Sequence, residues 1–535
     1  MKKLYYGGHV ITMEDEREVE AVLVENGEII DVGEMQKFQH LLDEPTVEKQ
    51  DLDGKTLLPG FIDAHGHLSM MGPMTVFADL RDCESFEEII GVLTENIEEH
   101  QEIAQRGVYG FGYDHYFLKE ESHPTKDILN RVSKEIPIVV SHASGHVGCA
   151  NDAALSLANI DANTPEKTGG VIGRIEGTNE PNGYLEEDRM MEVQMNVFEK
   201  LNLDYGALAR AGQEQYVKHG ITTVQDGATA DDSIQLFKHL AENEELLIDI
   251  VAYPRVMDDT DYFTENQKHW KKYSNRFKIN GYKLYLDGSP QAKTAWLTKP
   301  YAGEETYRGY PLFEDEQVEA FIARAIDDDM QLLTHCNGDA ASDQLLNNYK
   351  RALEKSDNRN KEQLRPVMIH CQTVRDDQLD EMKKINMIPS IFVEHVYYWG
   401  DIHLKNLGEA RGHHISPAKS AFDRGLVANF HQDAPVVKIN LLHTIWCAVN
   451  RMTRNGVVLG EDQRVSVYEA LQAVTIHAAY AYDEEQTKGS IKVGKIADFV
   501  ILDQNPLTVD KMDIKNIQVL ETIKEGETIY KRDCE

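Results

Sequence analysis

Two histidines one residue apart, His65 and His67, close the apolar run Leu57-Leu58-Pro59-Gly60-Phe61-Ile62-Asp63-Ala64. Along an extended chain alternate side chains share one side, so both imidazoles can grip one cation. A His-X-His pair alone is weak, because packed and surface histidines are common. It does not stand alone here: His335 ends the run Gln331-Leu332-Leu333-Thr334, His370 ends Val367-Met368-Ile369, and Asp433 follows Leu426-Val427-Ala428-Asn429-Phe430. Four imidazoles and a carboxylate make a nitrogen and oxygen ligand set suited to zinc and other late divalent metals. Such a metal polarises carbonyl oxygens and acidifies water, which is the chemistry of hydrolysis.

The elements that must position these residues are short apolar runs, most of them followed by a helical stretch, the pattern of strand-helix units around a parallel sheet. Eight can be counted, at 57–65, 221–226, 247–253, 282–287, 331–335, 367–370, 388–393 and 426–430. Eight units predict an α/β fold with a closed (β/α)8 TIM barrel, and barrel enzymes assemble their sites at the strand ends where the five residues fall. The gap from about residue 70 to 205 is too long for a loop and predicts a subdomain inserted after strand 1. Ala21-Val22-Leu23-Val24-Glu25, an Asn26-Gly27 turn and Glu28-Ile29-Ile30-Asp31-Val32-Gly33 read as a hairpin. Strand signals in Gly489–Ile491, Gly494–Asp503 and 519–530 echo it near the other end. Neither piece has apolar residues enough for its own core, so 1–56 and 485–535 are expected to build one small β-sandwich-like domain beside a barrel of 57–484.

Four stretches carry a resemblance: Leu58 to His67, Gly220 to Asp226, Tyr282 to Ser289, and Gly489-Ser490-Ile491-Lys492-Val493-Gly494-Lys495-Ile496-Ala497-Asp498. Together they are similar to the amidohydrolase superfamily over nearly the whole chain, especially the branch that includes N-substituted formamide deformylases. The resemblance implies that Lys283 is carboxylated by CO2 and that its carbamate bridges two metals, one held by His65 and His67, the other by His335 and His370. An unmodified Lys283 bound to Asp287 or to substrate is the other reading. Asp433 matches the superfamily aspartate that binds metal and shuttles a proton, taking it as metal-bound hydroxide attacks a carbonyl and passing it to the departing nitrogen. His146, in Gly145-His146-Val147-Gly148, matches a segment implied to reach the pocket and bind the substrate carbonyl; a structural or surface histidine is equally compatible. Asp226 and Asp287 fit either a site or turn caps, and sequence does not place His395, His413, His414 or His431 at the metal.

Two departures concern neighbours of these residues. His431-Gln432 precedes Asp433 where the branch usually has Gly-Ser, and Ile369 precedes His370 where a Glu is frequent. The pocket is therefore expected to differ, and the deformylase substrate is not copied across. The reading that results is a divalent-metal hydrolase, with one or two ions and zinc foremost. It would act on carbon–nitrogen bonds other than peptide bonds in a small molecule, an amide or N-substituted formamide. A mononuclear deaminase or cyclic-amide hydrolase, and a barrel that binds small molecules without turnover, are the alternatives.

A net charge of −36, from 55 basic and 91 acidic side chains, argues against nucleic acid and anionic membrane as partners. No apolar run approaches the roughly 20 residues of a membrane helix, and the first thirteen residues carry no export pattern. The six cysteines are scattered, as free thiols of a reducing cytoplasm would be. A homodimer is the default assembly.

Overall fold

The structure is a computed structural model that describes residues 2–15, 17–143, 145–165 and 170–533. Cys534 lies outside them; the other five cysteines are buried free thiols. The chain divides into two compact units, Met1–Ser69 with Gln213–Glu535, and Met70–Gly212. No helix among the described residues is long and apolar enough to cross a membrane.

In the first unit, eight strands drawn from residues 2–59 and 499–531 form one sheet. Its order is Glu527–Lys531, Val519–Lys524, Phe499–Leu502, Thr56–Pro59, Lys2–Ile11, Glu18–Glu25 and Glu28–Gly33, with Val47–Asp51 also pairing Lys2–Ile11. The hairpin turns at Asn26 and Gly27, both at positive φ (51° and 83°), the primed turn whose twist matches that of the flanking strands. Tyr5, Val22, Leu57, Phe499, Ile501 and Ile523 bury one face of the sheet. Gly489–Ile491, expected as a strand, is irregular, and the strand predicted to start at Gly494 begins only at Phe499.

The first apolar run is shared between two sheets, where the sequence pattern suggested one strand. Thr56–Pro59 pairs antiparallel with Phe499–Leu502, then Phe61–Ile62 pairs parallel with Ile221–Gly227. Gly60 makes the switch: its N–H donates to Asp498 O, and a Cβ there would sit 2.6 Å from the Thr222 side chain, so no larger residue fits without displacing that strand.

The remaining parallel strands form two ladders. One runs Phe277–Ile279, Asp249–Tyr253, Ile221–Gly227, Phe61–Ile62; the other runs Gly281–Tyr285, Gln331–Cys336, Val367–His370, Ile388–Ile391, Asn429–Phe430. A parallel bridge between Arg255 and Lys283 joins their neighbourhoods, but the hydrogen-bonded ladders are two open arcs rather than the closed ring the eight units predicted. Ile62, Ala64, Val251, Tyr253, Leu333, Val367, Ile369 and Ile388, drawn from both arcs, share one buried cluster. Helices follow the strands as their caps dictate: Ser466 and Glu469 close a reciprocal capping box before Val467–Ala473, and Asn440 caps Leu441–Asn450.

The second unit is a six-stranded sheet in the order Gly170–Arg174, Pro181–Glu187, Val147–Ala150, Ile138–His142, Val108–Tyr113, Ala78–Asp79. Strict alternation divides its side chains: Tyr109, Val139 and Ala150 pack with Val193 and Val197 of helix Asp188–Leu201, while Val108, Ile138, Val140 and Cys149 pack with Ile89, Leu93 and Leu129.

Candidate active site

Six of the residues singled out from sequence meet in the first unit. His65 Nε2 lies 3.0 Å from Lys283 Nζ and 3.4 Å from Asp433 Oδ1, and His67 Nε2 lies 3.2 Å from the same oxygen. His370 Nε2 is 3.0 Å from His335 Nδ1, and one ligand atom each of His65, His370 and Asp433 fall within 4.8 Å of one another. His65 and Lys283 are 1% exposed and His370 4%.

The strands explain how each side chain gets there. Leu333 and His335, two apart on Gln331–Cys336, share a face, so the residue that packs in the apolar cluster aligns the residue that faces the site. On the next strand Val367 and Ile369 already fill that cluster, and alternation would send His370 the other way. His370 instead adopts φ 77°, followed by Cys371 at φ 53°, and this left-handed step turns its imidazole back toward His335. Asp433 is also left-handed, at φ 57°. Such conformations cost on the order of 1–3 kcal/mol each and concentrate at functional sites.

Two imidazoles have their tautomers set by neighbours. His67 Nδ1–H donates to Gly227 O at 2.7 Å. His65 Nδ1–H donates to Gln225 Oε1, whose amide nitrogen is committed to Ala64 O at 2.9 Å. Both residues therefore present Nε2 as a lone-pair atom toward Asp433 and Lys283, the orientation a metal ligand needs.

Burial sets the charge of the cluster. It pulls His335 down to about 4 and His65 and His370 well below the ordinary histidine value, with the Lys283 charge or a neighbouring imidazole adding to the fall. It also pulls Lys283 down to about 8. Burial pushes Asp433 up, but the facing His67 and the other imidazoles around it outweigh burial and hold the carboxyl well below its usual range. His67 is the mirror case, raised because Asp433 outweighs the effect of burial. Neutral His65, His335 and His370 beside an ionised carboxylate form a donor set, and Asp433 Oδ1 is buried with no hydrogen bond of normal geometry. A buried anionic oxygen lacking a donor, faced by two Nε2 lone pairs, fits a divalent cation.

His431 joins the cluster although sequence left it unplaced. Its Nε2 lies 3.2 Å from His370 Nδ1 and its Nδ1 2.8 Å from Ser390 Oγ, and burial pulls its pKa down to about 3. Its spacing of two from Asp433 was the available signal. Asp287 accepts hydrogen bonds from the backbone N–H groups of Trp296, Asn337 and Gly338 (2.9, 3.0 and 2.7 Å) and stands 3.6 Å from His335 Nε2, so it organises the loop after that histidine. Asp226 accepts from Ser69 N at 2.7 Å. His395 stacks on His403, while His413 and His414 pair with Glu409 and Asp376. His146 belongs to the inserted unit, where its side chain is 69% exposed and its Nδ1 lies 3.1 Å from Glu187 Oε2.

A buried nitrogen and oxygen donor set at the ends of parallel strands in an α/β fold is the arrangement of a metal-dependent hydrolase. Residues 48–530 match the Amidohydrolase family, and the chain belongs to it. Among curated relatives, YtcJ of Bacillus subtilis (strain 168) is 26% identical over 553 residues, covering 99% of this chain and 100% of its own. The N-substituted formamide deformylase of Arthrobacter pascens is 26% identical, covering 96% of this chain and 95% of the relative. Among solved structures, an uncharacterized metal-dependent hydrolase from Pyrococcus horikoshii OT3 superposes with a TM-score of 0.77 at 25% identity, covering 96% of this chain and 99% of that one.

Proposed function

We propose that this protein hydrolyses a carbon–nitrogen bond other than a peptide bond in a small amide or N-substituted formamide, and that its two parallel arcs are the halves of one (β/α)8 barrel around the site. The observation that carries the reading is the convergence of His65, His67, Lys283, His335, His370 and Asp433 in one buried cluster.

His65, His67, His335, His370 and Asp433 would hold one or two divalent metal ions, zinc foremost. Bound there, the metal supplies Lewis-acid polarisation of the substrate carbonyl and lowers the pKa of water. Asp433 does the proton work: held ionised, it accepts a proton from the attacking water and returns it to the leaving nitrogen, which departs as a neutral amine. Lys283 would carry a CO2-derived carbamate, formed when its neutral amine adds to CO2 and releases one proton; burial supplies neutral amine at a pH where a surface lysine holds almost none. Gln225 and the Gly227 carbonyl keep His65 and His67 in the tautomer that offers Nε2.

The test is metal analysis of protein purified in bicarbonate without chelator, followed by an amide, formamide and ester panel on the loaded protein. Turnover of an amide or formamide, with a native mass heavier by one CO2, is the expected result. Turnover confined to deamination with an unmodified Lys283, or substrate binding without turnover, would replace this reading with the mononuclear or non-catalytic one.

A further inference from the structure

The inserted unit carries a further set of side chains able to ligate a metal, none of them shared with the cluster above. Asp114 and His115 follow strand Val108–Tyr113, and His142 ends the neighbouring parallel strand Ile138–His142, whose register sets Tyr113 opposite His142. The register therefore delivers all three residues to one corner of the sheet. His115 Nδ1 lies 3.1 Å from His142 Nε2, and Asp114 Oδ1 lies 3.4 Å from His142 Nε2 and 3.8 Å from His115 Nδ1.

We propose that Asp114, His115 and His142 form a second metal site, which takes a divalent cation of the zinc class through three protein ligands and leaves one coordination position open. The spacing is the first argument. Metal–ligand bonds of about 2.0–2.2 Å in tetrahedral geometry set neighbouring donor atoms about 3.3 Å apart, and the three donor atoms here are separated by 3.1, 3.4 and 3.8 Å. Proton inventory is the second. Only one hydrogen can lie between the two ring nitrogens, so one of them faces the other with a lone pair, and a cation replacing that proton takes both lone pairs at once. Two imidazoles and one carboxylate suit zinc, cobalt or nickel, whereas calcium and magnesium require six or more oxygens.

Neighbouring residues hold these donors in place. Tyr116 N–H donates to Asp114 Oδ1 at 3.0 Å. The His123 ring stacks on His115 with centroids 4.2 Å apart, and its Nδ1 is 2.9 Å from Tyr113 Oη. Tyr113 in turn packs edge-on against His142, at 5.4 Å between centroids. The three ligand side chains are 11–22% exposed, sheltered yet reachable from solvent.

The experiment uses the full chain, stripped with chelator and titrated with Zn2+ or Co2+ by calorimetry, with bound metal counted after desalting. His115→Gln and His142→Gln are each expected to bind one equivalent fewer than the wild type, whatever number the other cluster holds. The wild type minus variant Co2+ spectrum is expected to show the strong visible bands of a four-coordinate ion. Asp114→Asn, close in shape to the native residue, is expected to weaken that equivalent at least tenfold while circular dichroism stays unchanged, and it decides the matter alone if the histidine variants misfold. Folded variants that bind the same number of equivalents with the same affinity would overturn the site.

Discussion

Removing the carboxylate of Asp249 is expected to destabilise the first unit by several kcal/mol. This residue starts strand Asp249–Tyr253, and its Oδ2 accepts from Lys488 Nζ and from Lys524 Nζ, the latter at 2.7 Å. Lys524 also reaches Asp498 at 2.7 Å, and Glu484 takes Lys488 and Lys278 at 3.0 and 2.6 Å. Three buried ammonium groups thus face three buried carboxylates. Asp249→Asn leaves one ammonium in excess, and breaking a buried pair from one side costs about 3–5 kcal/mol. With an unfolding entropy of about 2.1 cal/mol/K per residue over the unit, that corresponds to a fall in Tm of about 4–6 °C. Burial pushes the Asp249 carboxyl up, but Lys488 and Lys524 outweigh it, so the folded pKa is depressed. Such a group contributes its full stabilisation above its unfolded pKa of about 3.9 and loses it as pH falls toward the folded value. Calorimetry should therefore show a constant gap between wild type and variant from pH 7 to about 5, narrowing below about 4. Adding Lys524→Met should recover part of the loss by restoring charge balance. A variant that melts within 1 °C of the wild type at pH 7, or a gap that stays constant on acidification, would refute the argument.

Three further outcomes are expected. Asp433→Asn should retain fold and most bound metal while lowering turnover at least about a hundredfold, from lost general acid–base catalysis; equal turnover in a steady-state assay would remove its assigned role. Gly60→Ala should destabilise by about 1–3 kcal/mol through overpacking against Thr222, read by chemical denaturation, and Thr222→Ser should not rescue it fully because the Oγ1 contact remains. His431→Phe keeps a ring against His370 but removes both nitrogen contacts, to His370 and Ser390; metal affinity should fall about tenfold to a hundredfold, as for other lost ligand supports, with Tm nearly unchanged. Unaltered affinity in a competition titration would make His431 a packing residue.

Strands such as 331–336 and 367–370 are legible in sequence because an apolar run that stops at a polar residue is what a buried parallel strand requires. The split of 56–62 between two sheets is not legible in that way, since both halves are buried and the division depends on how closely Gly60 approaches Thr222. Among the site residues, His65, His67, His335 and Asp433 stand out by their position after such runs. His370 stands out equally, yet its orientation depends on a positive φ that no periodicity reveals. His431 gains its meaning from Ser390 and His370, and Asp287 from the backbone N–H groups of Trp296, Asn337 and Gly338, contacts that no local pattern reveals.

The eight-stranded sheet also constrains how the chain can be made. Residues 2–59 leave the ribosome early, but their sheet neighbours at 499–502 and 519–524 emerge several hundred residues later, together with Lys488 and Lys524. Until then Asp249 has no cationic partner and Thr56–Pro59 presents an unpaired edge. Synthesis must pass residue 502 before the Thr56–Pro59 edge can be sealed, so a chain interrupted before 488 exposes both defects and is a ready target for chaperones and proteases.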